Sequence, residues 1–185
     1  ADKGLFVNSF ALPKLAWFEY LSGNKEQAID LLQVAAERQE GQAKALSLYY
    51  RGAILNRLGR YDEALASLNA ALLERRDLIV AREEKGGSLW QLGRRDEAVS
   101  TWQDAVARNP SLPLANSFLA GASTVQNDSA ASAGYEKQAE LSAPSDPFFH
   151  WMLGLRLQNL GMNELAEKHF QRAIQMSPAF RSRKR

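Results

Sequence analysis

The feature that most constrains this chain is a period. Pro110, Pro144 and Pro178 are spaced by 34 residues, as are Ala71, Ala105, Ala139 and Ala173. Gly52, Gly86, Ala120 and Gly154 keep the same register. A fixed period of this length belongs to stacked supersecondary units, none of which buries its apolar face alone. The clearest unit runs from Pro147 to Phe180: an apolar-striped helix, a break at Gly161, a second helix, and a link marked by Pro178.

Taken in order, the chain divides into a lead over 1–8, units over 9–44, 45–78, 79–112, 113–146 and 147–180, and a basic tail over 181–185. In the first unit Pro13 suits the first turn of a helix, and a partner helix is expected from about Lys25 to Arg38, with Ala28, Leu31, Leu32 and Ala35 at helical spacing. Gly41 to Lys44 reads as a connector. The second unit should hold helices near 45–58 and 61–74, split at Gly59. Glycine recurs at Gly59, Gly93 and Gly161, where a helix ending in a left-handed turn requires it. Asp62, Glu63, Asp96 and Glu97 then fall in the first turn of the next helix and complement its dipole. The fourth unit is degenerate: Asn127 replaces Gly, and Glu136 stands where its counterparts have Leu68, Trp102 and Phe170.

Small residues in the first helix, Gly52, Gly86, Ala120 and Gly154, and in the second, Ala64, Ala98 and Ala166, allow two helices to approach closely. The large residue four positions after each of those alanines fills the space beside them. These positions resemble the tetratricopeptide repeat, most completely in Leu153, Gly154, Leu157, Ala166, Phe170, Ala173 and Pro178. The second and third units depart from it with Arg51 and Lys85 before the glycine.

The resemblance implies an all-α, right-handed superhelical solenoid of antiparallel helix pairs, acting as a non-enzymatic scaffold or adaptor. Its concave groove, lined by the first helix of each pair, would take a partner peptide, helix or protein. The matching groove positions are Tyr49, Ala53, Asn56, Glu83, Gly87, Trp90, Ser117, Gly121, Thr124, Trp151, Leu155 and Gln158. Trp90, Tyr49, Trp151 and Asn56 are the leading contributors, although Tyr49 and Trp151 would equally serve packing between repeats. One branch of the family clamps acidic tails with Lys, Asn and Arg, and here Tyr49, Ala53 and Glu83 occupy those positions, so an extended or helical apolar segment is the expected ligand.

Other chemistry finds little support. Cys is absent and the two histidines, His150 and His169, lack a metal-binding spacing, so no metal or cofactor is expected. No phosphate-binding or nucleophile motif stands between a strand and a helix. Net charge is +2 and the arginine pairs have acidic neighbours, which disfavours nucleic acid. An apolar fraction of 45% with no membrane-length apolar run suits a soluble protein, cytoplasmic or bacterial periplasmic. The start at Ala1 reads as a processed chain or a fragment. After Phe180 only Arg-Ser-Arg-Lys-Arg remains to cover the last helix, and Phe10, Trp17, Phe18 and Tyr20 crowd the other end. The alternative is therefore a self-assembling module that oligomerises through the exposed ends of the solenoid.

Overall fold

The computed structural model describes residues 11–184, and these form ten α-helices, one terminal 3-10 helix and no strands. The helices are α1 (Ala11–Leu21), α2 (Lys25–Arg38), α3 (Gly41–Arg57), α4 (Tyr61–Glu74), α5 (Ile79–Gln91), α6 (Arg95–Arg108), α7 (Pro113–Val125), α8 (Ser129–Ser142), α9 (Pro147–Asn159) and α10 (Asn163–Met176). The 3-10 helix spans Pro178–Lys184. The chain divides into two compact units between Ala98 and Val99, inside α6.

The turns obey the glycine rule. Gly59, Gly93 and Gly161 take φ of 75°, 76° and 77°, a region that side chains with a Cβ rarely enter. Asn127, their counterpart in the fourth repeat, is the one non-glycine residue there among the described residues, at φ 60°. Asparagine tolerates this conformation because its short polar side chain bonds locally. The segment Gly41–Lys44 is not a connector but the first turn of α3. Gln39 and Glu40 are extended instead, and Gly41, at φ 54°, redirects the chain into the helix.

In the first unit, α1 packs on α2, α2 on α3, α3 on α4, and α4 on α5. The core lies between them, with Ala28, Leu32, Ile54, Leu55, Ala64 and Leu68 fully buried or nearly so. Gly52 is a tight point in it. A Cβ there would lie 2.6 Å from Leu68 Cγ and 3.2 Å from the Ala64 carbonyl oxygen. In the second unit α7 pairs with α8 and α9 with α10. There Gly154 repeats the arrangement, 2.6 Å from a Phe170 ring carbon and 3.1 Å from the Ala166 carbonyl oxygen. The small residue, the alanine and the large residue thus meet as their spacing implies. Trp102 adds a ring contact from α6 to Phe118 of α7, with centroids 5.2 Å apart.

The ends differ from the sequence expectation. Phe180 is buried, with its ring 5.5 Å from that of Trp151, so the segment after Pro178 covers part of the last repeat. Trp17 is half-buried, between Tyr20, Tyr50 and the Arg57 guanidinium, which sits 4.7 Å from the ring. The solvent-facing apolar residues of α1 are Leu15, Phe18 and Leu21, the last two 65% and 67% exposed. Phe10 and the lead over 1–8 lie outside the described residues.

Two glycines should respond to substitution with opposite signs. Gly154→Val forces a branched side chain into the Phe170 contact and should lower stability by about 1–3 kcal/mol. Gly134→Ala, in the interior of α8 where an added Cβ meets nothing within 4 Å, should raise it by about 0.5–1 kcal/mol. Urea denaturation of both variants checks this.

Candidate functional site

The first-helix positions fall into a buried set and an exposed or half-buried set. In the first unit, Ala53 and Glu83 are buried and Tyr49 and Gly87 are half-buried. The Tyr49 ring stands 5.0 Å from Tyr50 in an edge contact. Asn56 is committed to holding α3 against α5. Its Nδ2 donates to the Glu84 carbonyl oxygen at 3.1 Å and to Glu84 Oε2 at 3.2 Å, while its Oδ1 accepts from the Ser88 hydroxyl at 2.7 Å. Trp90 is only 2% exposed, and the Arg95 guanidinium lies 3.8 Å from its ring centroid. Such a cation over an aromatic face is worth about 0.5–2 kcal/mol.

In the second unit Ser117, Gly121 and Trp151 are buried, Leu155 is half-buried, and Thr124 and Gln158 are exposed. The Trp151 ring, 6% exposed, packs 4.9 Å from Phe170. The Ser117 hydroxyl has no hydrogen-bond partner among the described residues. Thr124 Oγ1 donates to the Ala120 carbonyl oxygen at 3.0 Å and lies 2.8 Å from Ser132 Oγ. Gly121 leaves room for Met162, whose sulfur would sit 2.3 Å from a Cβ at that position. Of the twelve positions, Thr124 and Gln158 are therefore exposed and Tyr49, Asn56, Gly87 and Leu155 partly so.

Several arrangements escaped the sequence reading. Arg95 over Trp90 had no local signal, because the two sit on different helices. Glu63 and Glu97 do occupy first turns, yet each also binds the arginine three residues earlier through two bonds, Arg60 to Glu63 at 2.6 and 2.7 Å and Arg94 to Glu97 at 2.7 Å twice. Arg60 further reaches Glu26 on α2 at 2.9 Å. These pairs are exposed and contribute little individually.

The histidines form a buried pair. His150 Nδ1 of α9 and His169 Nδ1 of α10 lie 3.0 Å apart with rings stacked 19° from parallel. One ring must present a bare Nδ1 to the other's N–H. Burial first, then the nearby His150 and Lys168, holds His169 down at about 4. Burial and Arg172 likewise lower His150, opposed by Asp146 and Glu140. Among the described residues no group of three or more His, Asp or Glu side chains converges to hold a metal, and no helix is long and apolar enough to cross a membrane.

This arrangement of paired helices with glycine turns and a 34-residue register defines a helical repeat protein. Sequence models of the tetratricopeptide repeat match residues 15–77, 84–147 and 149–180, and the chain belongs to that family. No curated protein sequence matches it. Among solved structures it is similar to the thermophilic tetratricopeptide protein TTC0263 of Thermus thermophilus, with 17% identity, a TM-score of 0.68, and 95% and 96% of the two chains covered. It is also similar to MamA from Desulfovibrio magneticus RS-1, with 20% identity, a TM-score of 0.62, and 92% and 96% covered. At these identities the likeness is one of fold.

The histidine pair sets an acid limit on the second unit. A histidine whose folded pKa lies below its unfolded value near 6.5 lends stability above that value, and the stability is lost as pH falls toward about 4. Between pH 7 and 4 the wild type should lose roughly 2–3 kcal/mol through His169, and His169→Phe should flatten that part of the profile. Urea midpoints measured across the pH range check both slopes.

Proposed function

We propose that the chain is a non-enzymatic adaptor that binds a partner peptide, helix or protein on the faces of its first helices. Tetratricopeptide repeats generally mediate protein–protein interaction, and the repeat match over most of the chain is the observation that carries this reading. The accessible side chains of these helices, an aromatic ring at Tyr49 and polar or aliphatic groups at Thr124, Leu155 and Gln158, suit a partly apolar extended or helical segment. Buried Trp90 and Trp151 support that face from beneath. A partner that engages Trp90 directly must first displace Arg95.

A second reading rests on a separate observation. The stripe of Leu15, Phe18 and Leu21 on α1 is exposed, whereas Ile54, which follows Gly52 by two residues as Phe18 follows Ala16, is fully buried in α3. Self-association would use that stripe rather than Trp17 or Phe180.

Peptides selected from a displayed library against the folded chain distinguish the two. The adaptor reading expects Tyr49→Ala or Gln158→Arg to weaken a selected peptide about tenfold or more, the cost of a contact worth at least about 1.4 kcal/mol. Light scattering should give a mass near 20.6 kDa at every concentration. Peptides indifferent to every first-helix substitution, together with a mass that rises with concentration and falls back in Phe18→Ser, would establish the second reading instead.

A further inference from the structure

The fourth repeat lacks the large second-helix residue that the second, third and fifth repeats carry. Leu68, Trp102 and Phe170, the large residues of the second, third and fifth repeats, are buried or fully buried. At the corresponding position in α8, Glu136 is instead partly exposed and turns toward Lys168 of α10, whose Nζ lies 2.9 and 3.2 Å from its carboxylate oxygens. Beside this pair opens a cleft of about 230 Å³ between the end of α7, α8 and the start of α10. Its walls include Val125, Met162 and Leu165, with Thr124 and Gly121 at the α7 side.

Size and charge both bear on what would occupy it. A dry cavity of about 150 Å³ already accepts a benzene ring, so this cleft has room for one phenylalanine or leucine side chain. Val125 is 57% exposed and forms part of an accessible apolar wall, while Met162 is a flexible side chain that adapts to a partner's shape. The rim carries Glu136 and Glu164 around the single ammonium of Lys168, the second carboxylate 3.8 Å from it. One negative charge is left over, which favours a cation on the incoming segment.

We infer that this cleft is a docking pocket for one large apolar side chain of a partner peptide, with a lysine or arginine next to it in the peptide sequence. The inference rests on the adaptor reading and places an anchor point that the first-helix positions alone do not provide. The apolar side chain supplies the binding energy, and the rim selects the sign of its neighbour.

Three capped dipeptides test it by titration into the isotopically labelled full chain with amide shifts followed by NMR: N-acetyl-Phe-Lys-amide, N-acetyl-Ala-Lys-amide and N-acetyl-Phe-Glu-amide. The expected result is shifts confined to residues 121–125, 161–168 and the α8 turn around Glu136, with the Phe-Lys probe binding at about millimolar concentration. It should bind about tenfold or more tightly than the Ala-Lys probe and a few-fold more tightly than the Phe-Glu probe. Val125→Lys, at an exposed position, should remove the binding while leaving the remaining amide spectrum unchanged. Glu136→Gln should erase the preference for Lys over Glu but keep the preference for Phe over Ala. Equal binding of all three probes, shifts located elsewhere, or no shift at about 10 mM of the Phe-Lys probe would overturn the inference. None of these outcomes bears on peptides selected by the Tyr49 and Gln158 face, so the adaptor reading is judged separately.

Discussion

Everything in this chain depends on two helices being allowed to touch. At Gly52 and again at Gly154 the missing side chain lets a first helix come within van der Waals reach of the backbone at Ala64 or Ala166, with Leu68 or Phe170 closing the gap. Packing at that density makes the contact intolerant of added volume. It also bears on why the period is kept: at Gly52 and Gly154 a shift of one residue in the first helix would put a side chain where only hydrogen fits. The fourth repeat keeps the small residue, Ala120, but gives up the large one, and an open cleft beside Glu136 accompanies the change.

Polar groups act on this frame in two ways. Exposed pairs such as Arg60 with Glu26, or Lys168 with Glu136, stand 32 to 34 residues apart where they join neighbouring repeats, and solvent screens them. The buried groups matter more. Asn56, Glu84 and Ser88 tie α3 to α5 through an amide whose two kinds of polar atom are both engaged. His150 and His169 tie α9 to α10 through a bond that needs at least one ring to present a bare Nδ1. Removing one member of either set leaves a buried polar group without its partner, which costs more than the bond itself contributed.

Much of the fold was legible in the residues because it is local and repeated. The limits of α2 and α4 and the three glycine turns follow from periodicity and backbone sterics, and Asn127 is the substitution that sterics permits. The start of α3 was missed because Gly41 opens that helix where glycine usually signals a break. The candidate site was less legible. Sequence register identifies which positions belong to first helices, but not that Arg95 lies over Trp90, that Asn56 is already bonded within the fold, or that Phe180 folds back on Trp151. Each of these joins side chains from different elements, and no local pattern encodes them. Two histidines 19 residues apart gave no hint of a stacked pair for the same reason.

The most direct test of the account is amide hydrogen exchange on the chain with and without a library-selected peptide. The account predicts new protection in the first helices, above all in α3, α7 and α9, with the second helices α4 and α10 little changed outside the first turn of α10 beside the cleft. Protection confined to α1, or to the second helices, would contradict a partner surface built from the first helix of each repeat.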